Sequence, residues 1–351
     1  MTVNPILEQL IDSVREAAAR GTPIRIHGGG SKQFYGEPVA GQPLDVTGYQ
    51  GIVEYEPTEL YITARTGTRL SELAATLAEH NQMLAFEPPC FTEATTVGGM
   101  VAAGLSGPRR AYVGAIRDFT LGVSMLDGRG QPLQFGGKIM KNVAGYDVSR
   151  LLVGSMGCLG ILTEVTLKVM PRPRFEQTRV LEMTPLDALT NLNRWAGQPL
   201  PISASAWHQG RLWLRLSGAE SAVMAASLQL GGEPSDDAIW SALCHQHHMF
   251  FTGNRPLWRL SLPATAPWLP DQADCLLEWG SALRWVVSDE GSALRSWAVQ
   301  QGGHATLFRH GGETCPVFTP PSTALLALHR RLKQRFDPAG VLNPGRLYPG
   351  V

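Results

Sequence analysis

Three clusters of glycine and other small residues hold most of the chemistry that this 351-residue sequence could perform. The first is His27-Gly28-Gly29-Gly30-Ser31-Lys32. Three successive residues without a Cβ let consecutive N–H groups curl into a concave anion-binding nest, to which Ser31 and Lys32 add a hydroxyl and a cation. An ordinary glycine-rich turn is the structural alternative. The GxGxxG order of a dinucleotide fold fails because position 33 is Gln33. A GxxxxGK phosphate loop fails too, because Pro132 stands five residues before Gly137-Lys138. The second cluster runs through Glu87-Pro88-Pro89-Cys90, Thr95-Thr96-Val97-Gly98-Gly99, Ala102-Ala103-Gly104 and Ser106-Gly107. A backbone this bare suits a large flat group lying against it, or else close helix–strand packing. The third, Gly154-Ser155-Met156-Gly157-Cys158-Leu159-Gly160, leads into Ile161. Three such loops together suggest one shared ligand carrying phosphates and an aromatic ring system.

Other candidates are weaker. Arg109 and Arg110 could clamp a carboxylate in bidentate fashion, though two loop arginines also suit solvent or a partner subunit. Cys244, His245, His247 and His248 form the densest group of potential ligands, but no second group follows at the spacing a four-ligand zinc site needs, and no metal site is assigned. His304, among small residues, has the chemistry of a general base near neutral pH, or is a structural histidine bonded to a carbonyl.

The elements that must position these groups read as α+β. Asn4 and Pro5 suit the cap and first turn of a helix ending at Gly21, with Leu7, Leu10, Ile11, Val14 and Ala18 as its apolar stripe. Strands are expected at 23–27, 60–65, 119–126 and 161–170, and a helix at 68–80. The regular βαβ rhythm of a doubly wound sheet is missing. All nine tryptophans follow position 172, whereas 23 of the 38 glycines lie at or before it, so two modules are expected to meet at the extended Pro171-Arg172-Pro173-Arg174 stretch. The tryptophans fit core or interface anchors.

Composition excludes several classes. Hydrophobic residues at 44% and charged residues at 17% rule out disorder. Thirty basic and thirty acidic residues give zero net charge, without the basic face of a nucleic-acid binder. No apolar run reaches the ~18 residues of a membrane span. The N-terminal residues lack the order of a secretory signal. Five scattered cysteines without CxxC argue for a reducing compartment, hence a cytoplasmic location, and against an iron–sulfur cluster held by this chain.

The order of HGGGSK, EYEPTELYITARTGTRLSEL, TVGGMVAAGLSG, VGAIRDFTLGVSMLDGRG, GYDVSRLLVGSMGCLGILTEVTLKVMPRP and FDPAGVLNPGRLY resembles the PCMH-type FAD-binding domain of the vanillyl-alcohol-oxidase superfamily. KNVAGYDVSRLLVGSMGCLG, LPISASAWHQGRLWLRLSG, GSALRW and GGHATLF narrow the resemblance to a family of subunits of bacterial glycolate oxidase (glycolate dehydrogenase) complexes. The resemblance implies a two-lobed FAD-binding domain at 1–172, an α+β cap domain facing substrate or partner at 173–318, and a segment at 319–351 returning to the FAD domain. Gly28, Gly29, Gly30, Ser31 and Lys32 would wrap the FAD pyrophosphate. Thr95, Thr96, Gly98 and Gly99, followed by Gly104 and Ser106, would line pyrophosphate and isoalloxazine. Asp118 matches the family's Gly-x-x-x-Asp, and Gly160 and Ile161 would touch the cofactor through main chain. His304 would sit near the flavin as a catalytic base.

Two departures refine these expectations. Ser31 stands where members with covalent flavin carry His, which implies noncovalent FAD. Gly303-His304-Ala305-Thr306-Leu307-Phe308 replaces the metal- and carboxylate-binding GHxGDGNxH of related hydroxy-acid dehydrogenases. The resemblance implies an FAD-dependent oxidoreductase subunit acting on glycolate or related 2-hydroxy acids. Its implied partners are a second FAD-containing subunit and a separate iron–sulfur subunit, with membrane contact at most peripheral through the complex. A stand-alone FAD-dependent alcohol or hydroxy-acid oxidase and a non-catalytic structural subunit are the alternatives.

Overall fold

The computed structural model describes residues 4–137, 147–269 and 274–351. Its first helix is Pro5–Arg20: the Asn4 side chain accepts from the Ile6 N–H at 2.9 Å, and Gly21 ends the helix at φ 62°. The buried stripe is Leu10, Val14 and Ala17, so Ala17 and not the expected Ala18 continues it in the cluster with Ile24, Val341 and Leu342. Strand Ile24–His27 pairs in parallel with Gln42–Asp45, and Ile24 also bridges to Leu342.

A five-stranded antiparallel sheet follows, in the order Ile52–Glu56, Tyr61–Arg65, Ile161–Lys168, Thr120–Leu126, Pro132–Gly136. Val165, Leu162 and Val123 of this sheet pack against helices Leu70–Glu79 and Val97–Ala103 through Leu73, Leu77, Val97 and Met100. Thr96 caps the second of these helices by accepting from the Gly99 N–H at 3.2 Å. Gly104 closes it at φ 67°, with Gly154 so near that a Cβ would stand 3.0 Å from its Cα.

After Pro171, which pairs with Gln82, the chain enters an eight-stranded antiparallel sheet. The expected linker is therefore extended but pinned at its first residue. Strand order is Glu233–Ser235, Phe175–Glu182, Arg211–Gly218, Ile202–His208, Asp274–Glu278, Leu283–Val287, Leu257–Ser261, His304–Arg309. The period-2 alternation gives this sheet two apolar faces. Leu212, Leu214, Leu216, Trp258, Leu260 and Leu307 meet helices Pro185–Ala196, Glu220–Leu230 and Gly291–Gln300. Ala204, Ala206, Leu276, Trp285 and Phe308 instead meet Tyr35, Leu105 and Met156 of the N-terminal half.

This seam also carries a cluster of charges. Arg109 contacts Glu176 at 2.6 Å and Glu87 at 3.4 Å, and Arg215 contacts Glu87 at 2.9 Å. Two guanidiniums held by two carboxylates in a largely dry seam satisfy one another, where any one alone would be costly. Finally, helix Thr323–Phe336 brings the chain back to the N-terminal half. Its buried Lys333 donates to the Cys158 carbonyl at 2.8 Å and pairs with Asp337 at 2.8 Å. Asp337 in turn accepts from the Leu342 N–H at 2.8 Å.

Candidate functional site

The glycine loops converge on one cavity of about 340 Å³ between strand Ile24–His27, helix Val97–Ala103 and the start of strand Ile161–Lys168. Gly28, Gly29, Gly30, Ser31, Lys32, Thr96, Gly98, Gly99, Gly160 and Ile161 all line it. Each glycine run brings bare main chain to the cavity because the far side is full. A Cβ on Gly29 would lie 1.5 Å from the Ala94 oxygen, on Gly98 2.7 Å from Thr66 Cβ, and on Gly160 1.9 Å from Met125 Cε.

The loop at 28–32 has the strongest anion-binding geometry. Among the described residues, none of its five N–H groups donates to a protein acceptor. Consecutive N–H groups at a cavity wall are donors awaiting a multi-oxygen anion. The Lys32 ammonium lies over the Phe91 ring at 5.4 Å, and its burial pulls its pKa down to about 8. Helix Val97–Ala103 behaves differently: the Val97 N–H donates to the Thr68 carbonyl, that of Gly98 to Thr66, and that of Gly99 to Thr96 Oγ1. Thr96, Gly98 and Gly99 therefore supply a thin wall rather than anion donors.

The remaining expected residues are not on the cavity wall. Thr95 is buried, and its hydroxyl donates to the Thr92 carbonyl at 2.8 Å. Gly104 serves the helix end described above. Ser106 Oγ accepts from the Ile116 N–H at 3.2 Å, and Asp118 accepts from the Ala115 N–H at 2.8 Å, so both order the turn after the second glycine cluster. His304 opens the edge strand His304–Arg309, opposite Ser261, with its side chain exposed. Although the residue is solvent-exposed, the protein packed along one side of the ring partly desolvates it, and this with the charge of Arg259 holds its pKa below the usual histidine value.

The other titratable candidates have structural partners. Arg109 belongs to the seam cluster. Arg110 lies over the Trp279 ring at 4.3 Å. Cys244 Sγ donates to the Glu87 carbonyl at 3.3 Å, and His245 Nδ1 accepts from the Cys90 N–H at 3.0 Å. Among the described residues, no group of three His, Cys, Asp or Glu side chains could hold a metal ion.

Several wall residues escaped the sequence reading. Asn343 Oδ1 accepts from the Ile26 N–H at 2.8 Å while Nδ2 donates to the Met156 carbonyl at 2.7 Å, joining the first and third glycine loops. Arg346 donates to the carbonyls of Glu37 at 2.7 Å, Tyr35 at 2.7 Å and Gln33 at 2.9 Å, fixing the segment that follows the anion loop. Both residues line the cavity. Their signal was the FDPAGVLNPGRLY stretch, in which a buried-type Asn and a lone Arg follow a helix end.

The cavity fits an elongated dinucleotide cofactor: donors for a pyrophosphate lie on one wall, and thin glycine and alanine walls flank room for a flat ring. Comparison with known proteins agrees. Residues 7–136 match the FAD binding domain family. The chain is 47% identical over 342 residues to the glycolate oxidase subunit GlcE of Escherichia coli, covering 97% of each chain. It is 33% identical over 138 residues, 39% of this chain and 29% of the relative, to the glycolate oxidase subunit GlcD of Bacillus subtilis. A D-lactate dehydrogenase of Anaerostipes hadrus is 31% identical over 38% of this chain and 28% of its own. An alkyldihydroxyacetonephosphate synthase structure has the same fold, with a TM-score of 0.66 at 15% identity over 97% of this chain and 76% of its own. The chain thus has the PCMH-type α+β fold, and FAD is its cofactor. It belongs to the glycolate oxidase subunit GlcE family, within the PCMH-type FAD-linked oxidoreductases.

Proposed function

We propose that this chain is the FAD-binding subunit of a glycolate oxidase complex that oxidises glycolate or related 2-hydroxy acids to 2-oxo acids. The observation that carries this reading is the row of open N–H groups at 28–32 facing a glycine-walled cavity, in a chain similar along its whole length to a glycolate oxidase subunit. In this reading residues 1–172 bind FAD, 173–318 form the cap, and 319–351 return to brace the cofactor loops. Bound FAD supplies the two-electron acceptor for oxidation at a CH–OH carbon. Gly28 to Lys32 hold its pyrophosphate through main chain. Thr96, Gly98, Gly99, Gly160 and Ile161 provide the surface against which the cofactor lies. Thr95, Gly104, Ser106 and Asp118 act behind that surface. The flavin is held noncovalently, since Ser31 offers no imidazole for attachment.

The electrons leave through partner subunits: a second FAD-containing chain and an iron–sulfur chain. The complex works in the cytoplasm, touching the membrane at most peripherally. Among the described residues, no helix is long and apolar enough to cross a membrane. The test is an anaerobic absorbance spectrum of the purified chain before and after glycolate. A flavin spectrum that bleaches supports oxidation at this subunit. A flavin spectrum that persists moves substrate oxidation to a partner. Absence of flavin from both the folded chain and its assembled complex refutes the reading. Acid precipitation that leaves the yellow colour in the pellet would overturn the noncovalent assignment.

A further inference from the structure

Helix Glu220–Leu230 is apolar on nearly every side, and the second sheet covers only one of them. Val223, Ala226 and Leu230 are buried in one cluster with Leu212, Leu214 and Leu216 of that sheet. On the opposite face run Ser221, Met224, Ala225 and Leu228, spaced i, i+3, i+4, i+7, and all four are exposed. Leu228 is 85% exposed and Met224 46%. Helix Pro185–Ala196, on the same side of the sheet, instead turns Asp187, Thr190 and Arg194 to solvent. An outer helix face without polar cover marks a contact surface.

The order of sizes along the stripe identifies what covers it. From Ser221 to Leu228 it runs small, large, small, large. Turned end for end, it runs large, small, large, small. A second copy of the helix, laid antiparallel about a two-fold axis between positions 224 and 225, therefore sets Leu228 against Ser221 and Met224 against Ala225 on both sides of the axis. Each large side chain then fills the gap that a small one leaves, as in the interior of a close-packed helix pair. The charges agree with this sense of pairing. No ionisable residue lies on the stripe, so two identical faces do not repel. Glu220 stands at the N-terminal end of the helix, and at its other end the Arg179 guanidinium donates to the Gly231 carbonyl at 3.1 Å. Antiparallel helices bring each Glu220 toward Arg179 of the other copy and oppose the two helix dipoles, whereas parallel helices would join like ends.

We propose that helix Glu220–Leu230 pairs antiparallel with its counterpart in a second copy of this chain, forming an isologous homodimer. The helix lies on the far side of the second sheet from the seam with the N-terminal half, so the pairing leaves the glycine-walled cavity uncovered. It holds whatever that cavity binds. One helix of 11 residues from each copy puts the contact at the weak end of specific interfaces, with an expected Kd of about 10–100 µM.

The test is sedimentation equilibrium of the full, FAD-loaded chain at concentrations on both sides of that Kd. The wild type should pass from monomer to dimer. Leu228→Ser leaves a gap opposite Ser221 twice in each dimer, and should weaken pairing by about 100-fold, roughly tenfold for each leucine lost. Ser221→Leu sets leucine against leucine, and should weaken it by about tenfold or more. Combining Ser221→Leu with Leu228→Ser restores small against large, and should bring the Kd back to within about tenfold of wild type. Both positions face solvent in the single chain, so the melting points of the monomers should match. A wild type that stays monomeric throughout overturns the proposal, because the face then belongs to a different subunit. So does a dimer that survives Leu228→Ser unchanged, or one that Ser221→Leu tightens, as it would a merely sticky surface.

Discussion

Asn343 offers the sharpest test of how the cofactor cavity is held. Its carboxamide joins two loops of the cavity wall, accepting from Ile26 and donating to Met156. The residue is 7% exposed and sits at φ 39°. Asn343→Gly removes both side-chain bonds but keeps the backbone relaxed; Asn343→Ala removes the same bonds and adds left-handed strain. Each main-chain group left without its partner costs ~1–3 kcal/mol, and water reaching the cavity edge favours the lower end. The glycine variant should therefore lose about 2–4 kcal/mol, and the alanine variant about 1 kcal/mol more. Urea unfolding of the flavin-stripped chain measures the first quantity, and FAD fluorescence quenching measures affinity. The misplaced loops should weaken FAD by at least about tenfold. Stability within about 0.5 kcal/mol of wild type in both variants, with FAD affinity intact, would refute the bracing role.

Other perturbations follow from the same geometry. Gly29→Ala, whose Cβ would overlap the Ala94 oxygen, should abolish flavin content in the purified chain, while Gly197→Ala, with its nearest outside atom 3.7 Å away, should leave content and melting point unchanged. Arg109→Met leaves Glu87 and Glu176 sharing one guanidinium, and should cost about 2–4 kcal/mol in urea unfolding. Burial raises Glu176, but the Ser217 hydroxyl and the Arg109 and Arg215 charges outweigh it, leaving the folded-state pKa below the usual glutamate value. Its contribution is therefore present above the unfolded pKa and lost as pH falls through the folded one; an acid titration of stability should show this loss, flattened in Arg109→Met. Lys32, pulled down to about 8 by burial, has to take up a proton to meet an anion above that pH. FAD affinity should accordingly fall as pH rises past about 8, and Lys32→Met should remove the slope.

Local rules made much of the N-terminal half legible. Asn4, Pro5 and Gly21 marked helix Pro5–Arg20, and runs of apolar and β-branched residues at 60–65 and 161–170 marked two strands of the five-stranded sheet. Glycine density found the anion loop, because a backbone that must face a ligand cannot carry side chains there. The same signal misled at Gly104, where the missing Cβ serves close approach to Gly154 rather than the cavity. Sequence gives no sign of which side of a glycine the ligand lies on. Asn343 and Arg346 were hidden for another reason: each acts on backbone groups more than 180 residues away, a relation no local period encodes.

The bond between Ile26 and Asn343 has a consequence for synthesis. The anion loop is made 317 positions before the residue that braces it. On the ribosome the loop waits, unbraced, while the five-stranded sheet and then the whole eight-stranded sheet emerge. The brace between the first and third glycine loops is thus among the last contacts that synthesis makes available. A chain cut short between strand His304–Arg309 and Asn343 has every strand of both sheets yet lacks the two side-chain bonds that tie the first glycine loop to the third.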